Sequence, residues 1–327
     1  MPAAPEMQFR PLGKTGVDVS LVSLGTGGPS QFGQRTGLSQ ADSERVLRRA
    51  LDCGVNFIDT AESYGDSEVR LGQALRGVPR ESYLLGTKWH PARTGGRATF
   101  FGKRQVVGDA PALRDAVDKS LRRLQLDTID LMQLHGVELD YYAEVRDRFV
   151  PVLHALRDEG KIRFLGITER FMVDEKHEML PAALADGAWD TVMVKYGILN
   201  QGASREILPR CERLGVGVLN MAAVRVNLTR PERLRAKLAE LKAAGLLARD
   251  AVDDDDPLGW LVRGDVESVV AAGYKFGTHA PGISTVITGT SCVEHLDANV
   301  RAILGPPLAP DDHARLVELF GHLALAD

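Results

Sequence analysis

Short apolar runs alternate with amphipathic segments along most of the chain. SLVSLG, Ser20 to Gly25, reads as a first strand. SQADSERVLRRALDCG then reads as a helix. Ser39 can cap it, Asp42 completes an S-x-x-D box, Val46, Leu47, Ala50 and Leu51 share a face, and Gly54 ends it. The alternation repeats. VNFID is a strand followed by a helix from Ser67 to Leu75; SYLLGTK is a strand followed by a helix over Leu113, Val117, Leu121 and Leu124. IDLMQL precedes a helix from Val152 to Glu159. FLGIT, TVMV and VGVLN are the next strands, with helices over His177 to Ala185 and Ser204 to Leu214 between them. Residues 231 to 275 are helical in character, STVIT is an eighth strand, and CVEHLDANVRAIL is the helix after it. Each helix carries the chain back to the start of the next strand, so the strands are expected to be parallel. Eight such units predict an α/β fold, a closed (β/α)8 TIM barrel, as a single domain over residues 1–327. A doubly wound open sheet is the structural alternative, but no GxGxxG follows the first strand to favour it.

Some segments stand outside the repeat. QFRPLGKTGVDVS predicts an N-terminal β-hairpin turning at Lys14-Thr15-Gly16. Residues 90–111, HPARTGGRATFFGKRQVVGDAP, form a long Gly- and Arg-rich loop after the third strand, of a length that is usually functional or disordered. The acidic run Asp253 to Asp256 reads as solvated loop, because adjacent carboxylates lack the alternating spacing of a calcium loop. Residues 305–327 read as a helical tail.

The composition, 44% hydrophobic and 26% charged, is that of an ordinary globular chain. A net charge of -4 gives no strong pull toward nucleic acid or an anionic membrane. Cys53, Cys211 and Cys292 are far apart, so a disulfide framework or a metal site is not expected, and a reducing compartment is. No run approaches the roughly 18 apolar residues of a membrane span. The N-terminus carries no apolar core of signal-peptide length, and the expected location is cytoplasmic.

A barrel places the loops after its strands on one face. Asp59 ends the second strand in FIDTAESYG and Tyr64 lies in its loop; Lys88 ends the third in LLGTK, and His135 ends the fourth in LMQLH. Singly, each has an ordinary structural role. Jointly, three successive strands finish in an ionisable residue at one mouth. The stretches RPLGKTGVDVSLVSLGTGG, NFIDTAESYGDSEVRLGQAL, LLGTKW, SLRRLQLDTIDLMQLH and VITGTSCVEHLDANV resemble the aldo-keto reductase superfamily, from residue 8 to residue 304. The resemblance implies nicotinamide-dependent carbonyl reduction or alcohol oxidation, with Asp59, Tyr64, Lys88 and His135 as the catalytic tetrad. A free phenol has a pKa near ~10, and a neighbouring ammonium lowers it. Lys88 would supply that charge, Asp59 would hold Lys88, Tyr64 would donate the proton, and His135 would orient the carbonyl oxygen.

The cofactor positions depart from the family pattern. Where the family has a Ser-Asn pair after the fifth strand, this chain has Thr168 and Glu169; where it has a Gln on the sixth, Met193 stands. Thr168 can still donate through its hydroxyl, whereas an ionised Glu169 only accepts. Glu169 is expected to take the amide N–H of the nicotinamide, or else to turn away toward Arg170 or Lys195. Asn220 or Met221 occupies the place of a ring that would stack on the nicotinamide. Gly25, Thr26 and Asp59 are expected along the cofactor, with Gly289, Thr290 and Ser291 at its phosphates and His295 and Asn299 toward the adenosine. Ser291 often has a basic counterpart that meets a 2'-phosphate. The family habit points to NADP, and the neutral serine keeps NAD possible. Trp89, Phe100 and Phe101 suggest an apolar or aromatic carbonyl substrate; Arg93, Arg97 and Arg104 suggest an anionic one. An aldehyde or ketone reductase is the leading reading. An NAD-dependent sugar or alcohol dehydrogenase and a cofactor-binding regulatory subunit with low turnover are the alternatives.

Overall fold

Residues 6–94, 104–106 and 108–325 are described by a computed structural model of the chain. Eight strands close into a parallel barrel in chain order. They are β1 (Val22–Gly25), β2 (Phe57–Asp59), β3 (Leu84–Trp89), β4 (Ile129–Val137), β5 (Ile162–Glu169), β6 (Thr191–Lys195), β7 (Gly217–Met221) and β8 (Thr285–Thr288). The ring closes where β8 pairs with β1, Val286 opposite Val22. The helices α1 (Gln40–Asp52), α2 (Ser67–Ala74), α3 (Ala110–Leu124), α4 (Leu139–Asp158), α5 (Met179–Asp186), α6 (Ile207–Leu214), α7 (Val269–Thr278) and α8 (Val293–Leu304) return the chain between strands or follow the last one. Side chains alternate along a strand with a period of two. Ile58, Leu85, Met132, Leu134, Leu165, Ile167, Val192 and Val194 therefore pack outward in the large core beneath the helices. Phe57, Leu84, Leu131, Met193 and Leu219 form a separate apolar cluster with Leu12 and Val19 of the hairpin.

That hairpin, Phe9–Pro11 against Asp18–Ser20, closes the N-terminal end of the barrel. Its turn needs glycine. Gly13 has φ +57 and lies so close to β7 that a Cβ would come within 2.3 Å of the Gly217 nitrogen. Arg10 fastens the hairpin to the carbonyls of Thr278 and Ile283 at 3.1 and 2.8 Å. The apolar plug at this end leaves the opposite mouth as the open face of the barrel.

The capping box expected on α1 is present: Asp42 N–H donates to Ser39 Oγ at 3.1 Å, and Ser39 N–H to Asp42 Oδ2 at 2.9 Å. Two helical expectations are corrected. α4 begins at Leu139 rather than Val152 and runs through Pro151. A proline lacks the N–H for that turn, but Tyr141, Tyr142, Val145, Phe149, Val152, Leu153 and Leu156 are all buried and keep the helix whole. Residues 231–275 are not one helical stretch. A helix spans Pro231–Ala243, Gly245 at φ +70 follows its end, and α7 starts only at Val269. In between, the Asp253 carboxylate accepts the N–H groups of Asp255 and Asp256, so the acidic run builds a turn. The long loop after β3 contains a short hairpin, Ala92–Thr94 against Arg104–Val106; Phe100 and Phe101 lie outside the described residues. The chain continues past α8 into a helix over Pro310–Phe320. Among the described residues, no helix is long and apolar enough to cross a membrane.

Candidate active site

The inward positions at the carboxyl ends of β2, β3 and β4 are Asp59, Lys88 and His135. Lys88 is fully buried, and its Nζ lies 2.7 Å from an Asp59 oxygen and 2.7 Å from the Thr60 carbonyl. The other Asp59 oxygen accepts from Gln133 Nε2 at 3.4 Å. A buried carboxylate and ammonium are each costly alone, and tolerable as a hydrogen-bonded pair. The half-buried Tyr64 closes over this pair, with Lys88 Nζ 5.1 Å from its ring centroid. His135 meets the Tyr64 ring edge-on at 5.8 Å. The four residues that the sequence pointed to are thus brought together at one mouth.

The electrostatics are a contest between burial and charge. Burial alone would pull the Lys88 ammonium down; Asp59 and Tyr64 outweigh it and hold Lys88 above its ordinary value. Burial pushes the Asp59 carboxyl up against the pull of Lys88 and Gln133. For Tyr64, burial raises the phenol, and the downward pull of Lys88 does not cancel it. Lys88 thus pulls the phenol down as expected, but burial outweighs it and the net direction is a rise.

Several residues of the site gave no signal as isolated letters. Gly27 lies flat against Tyr64: a Cβ there would be 2.6 Å from the ring. His90 stacks on His135 at 4.1 Å between centroids, and its Nδ1 lies 2.9 Å from the His135 carbonyl. Gln133 is the inward neighbour two positions before His135, a place that strand periodicity could have flagged. The register of β4 shifts between Leu134 and Val137, with Gly136 at φ +64. Such a bulge re-aims the adjoining side chain, and Thr168 pins it, its Oγ1 accepting the Gly136 N–H at 2.8 Å.

The cofactor and pocket positions divide. Gly25 has no room for a side chain, since a Cβ would meet Ile287 at 2.6 Å. Thr26 donates through both N–H and Oγ1 to the Asp59 carbonyl, at 2.9 and 3.1 Å. Thr168 faces the interior beside Met193, its partner in register. Met193 is packed in the apolar cluster of the barrel interior. Glu169 is one residue past Thr168 and so points outward: one oxygen lies 2.7 Å from His177 Nδ1 and the other accepts the Lys195 N–H at 2.9 Å. It does turn toward Lys195, but through the backbone; its side-chain partner is His177, while Arg170 pairs with Glu138 at 2.7 Å. Asn220 also points outward, bonded to Tyr196 N–H and the Gly277 carbonyl, so the inward residue at the end of β7 is Met221. Trp89 follows the same rule. It packs outward on Phe149 at 5.1 Å and on Gly108, not into the mouth. At the start of α8, Thr290 Oγ1 accepts the Cys292 N–H at 3.1 Å; Gly289 and Ser291 flank it. His295 is exposed, and Asn299 donates to Thr288 Oγ1 at 2.7 Å.

A closed parallel barrel with an Asp–Lys–Tyr–His cluster at its carboxyl mouth has the layout of a TIM-barrel enzyme. The profile of the Aldo/keto reductase family matches residues 23–320, and the chain belongs to that family. The NADH-specific methylglyoxal reductase of Escherichia coli is 35% identical over 222 residues, which is 64% of this chain and 65% of that protein, just under two thirds. The L-galactose dehydrogenase of Arabidopsis thaliana is 29% identical over 316 residues, 91% of this chain and 88% of that one. Among solved structures, an aldo-keto reductase of Bacillus halodurans in its holo form superposes with a TM-score of 0.73 at 25% identity, over 98% of this chain and 97% of that one.

Proposed function

We propose that this protein reduces a small aldehyde or ketone with a nicotinamide cofactor, Tyr64 protonating the carbonyl oxygen. The observation that carries the reading is the buried Lys88–Asp59 pair, 2.7 Å long, with Tyr64 closed over it. Reduction needs the phenol protonated before the step and a stabilised phenolate after it. Burial keeps the proton on Tyr64, and the ammonium of Lys88 favours the phenolate that the step leaves behind. Asp59 keeps Lys88 charged and aimed. His135, locked by the stack with His90, orients the carbonyl oxygen beside the hydroxyl.

The mouth suits a flat ring. Gly25 and Gly27 supply backbone where a Cβ would strike Ile287 or Tyr64, and Thr168 keeps its own O–H as a donor. Gly25, Thr26 and Thr168 would hold the nicotinamide end, and Gly289, Thr290 and Ser291, before α8, the phosphates. When bound, the cofactor supplies the hydride that goes to the carbonyl carbon. We favour NADH over the NADP of family habit. Ser291 is neutral and Glu294 puts a carboxylate in the first turn of α8, which opposes a 2'-phosphate; the methylglyoxal reductase relative is itself described as NADH-specific. With Trp89 turned outward, the names of the relatives are the better guide to substrate, and they favour small oxygenated carbonyl compounds. A sugar dehydrogenase running toward oxidation is the second reading, supported by the L-galactose dehydrogenase relative.

The test is a panel of short aldehydes, methylglyoxal among them, with NADH and NADPH, run beside aldoses with NAD. Tyr64→Phe is expected to lower kcat for reduction by about 10²- to 10⁴-fold with cofactor binding retained. Turnover near that of the parent in this variant, or no reduction of any panel member by the parent, overturns the reading.

A further inference from the structure

Gln34 lies in the loop between β1 and α1, outside the ionisable cluster, yet its side-chain amide grips the turn that carries Tyr64. Its Nε2 donates to the carbonyls of Tyr64 at 3.1 Å and Gln31 at 2.8 Å and to Ser67 Oγ at 2.9 Å, sharing two hydrogens among three acceptors. Its Oε1 accepts the Asp66 N–H at 2.6 Å. With carbonyls on one side and an N–H on the other, the orientation of the amide is fixed by its partners. Ser67 passes the connection on, its hydroxyl donating to the Thr26 carbonyl at 3.2 Å, while Thr26 donates to the Asp59 carbonyl. One hydrogen-bonded path thus joins Gln34 to the Tyr64 turn and to the strand end that carries Asp59.

The backbone on both sides is shaped for this grip. Gln31, Phe32 and Gly33 are consecutive residues at φ +44, +55 and +87. Residues with side chains avoid that region, and it persists where the surroundings enforce it. Here the buried Phe32 enforces it, with its carbonyl held by Ser43 Oγ at 2.8 Å. On the other side, Gly65 has φ +59, and a Cβ on it would come within 2.6 Å of Gln34 Oε1. The glycine of the Tyr64-Gly65 pair is therefore what lets the amide approach. On the far side of the phenol, Gly27 forms a flat wall.

We infer that Gln34 is the positioning residue for Tyr64, an amide clamp that fixes the Tyr64–Ser67 turn so that the phenol stays against Lys88 and Gly27. The inference rests on the reading of Tyr64 as proton donor. The partners of the clamp are all protein groups, the carbonyls of Gln31 and Tyr64, the Ser67 hydroxyl and the Asp66 N–H, so its loss should act on the chemical step and spare binding.

Gln34→Ala removes the clamp. Gln34→Glu keeps its shape, retains an acceptor for Asp66 and replaces the donor with an acceptor facing two carbonyls. With the fastest aldehyde of the panel and NADH, both variants are expected to lower kcat by about 10- to 100-fold, the scale of a small misplacement of a reacting group. The NADH dissociation constant and the thermal midpoint should stay close to the parent's. The alkaline limb of the pH–rate profile should move, because Tyr64 would sit differently against Lys88, Asp59 and His135. Gly65→Ala should cause a similar loss, and the double variant Gln34→Ala/Gly65→Ala should be no worse than the more impaired single variant, since both break one contact. Tyr64→Phe runs alongside. If it is inactive while both Gln34 variants keep kcat within threefold of the parent, the clamp is refuted and the proton donor stands. Parallel loss of kcat, NADH affinity and thermal midpoint in both Gln34 variants also refutes the clamp, by showing general loosening. If Tyr64→Phe keeps its turnover, the proton-donor reading falls and the inference falls with it.

Discussion

Lys88 answers two neighbours with different demands. Asp59 needs a cation to make its burial tolerable, and Tyr64 needs one to ease loss of its proton. Burial nevertheless leaves the phenol above its ordinary value, which fixes the sign of a pH test. With Tyr64 as the proposed proton donor, reduction uses the protonated phenol, so the rate should hold level through neutral pH and fall only beyond an ordinary phenol's ~10. Lys88→Met removes the downward pull. The phenol rises further and becomes a weaker acid, so kcat should fall and the alkaline limb should move to higher pH. A pH–rate profile that superposes on the parent's would show that Lys88 does not tune Tyr64. Glu169 gives the opposite lesson. Its carboxylate is committed to His177 and to the Lys195 N–H. Glu169→Gln should therefore leave the ratio of the dissociation constants for oxidised and reduced cofactor unchanged. It should lower stability by about 1–3 kcal/mol, the cost of disturbing buried partners. Titration of both cofactor forms together with a denaturant midpoint checks this.

Among the elements, strand periodicity decides which side chains reach the mouth. Lys88 points inward and Trp89 outward; Thr168 inward and Glu169 outward; Met221 inward and Asn220 outward. A one-residue step thus separates a mouth residue from one that packs beneath a helix. The N-terminal hairpin works at the other end, where it completes the apolar floor. Gly13→Ala forces a Cβ against the β7 backbone at a positive φ. It should cost at least about 1 kcal/mol and lower the thermal midpoint. The turnover of the folded fraction should match the parent's, because the cluster proposed to be catalytic is at the opposite mouth. Loss of turnover with an unchanged midpoint would contradict this division between floor and mouth.

For the whole molecule, the barrel puts the apolar floor and the mouth that holds the ionisable cluster at opposite ends of one sheet. Cofactor binding at the mouth should then stabilise the entire fold through mass action. At a cofactor concentration one hundred times the dissociation constant the gain is about 2.7 kcal/mol, a rise of about 4 °C in the thermal midpoint for a chain of this size. Thermal scans with equal concentrations of NADH and NADPH should show the larger rise with NADH. Equal shifts, or a larger one with NADPH, would remove the proposed preference.

By itself the sequence determined the barrel and the convergence of Asp59, Tyr64, Lys88 and His135 at one mouth, because both are written in local pattern. Eight alternating units dictate parallel strands, and an acid, a lysine and a histidine at the ends of successive strands must face one mouth. The capping box of α1 and the hairpin were legible for the same reason, being interactions within a few residues. The start of α4 at Leu139 was not legible, because it is tertiary burial of its face that outweighs the hydrogen bond missing at Pro151. Residues 231–275 misled because the glycines and aspartates that break them compete with good helix formers. The tertiary structure alone decided the partners of Glu169, Asn220 and Trp89, the stack of His90 on His135, and the grip of Gln34 on the Tyr64 turn. Each depends on which face of a strand a residue takes and on what another loop brings against it, and contacts of that kind are set only when the barrel closes.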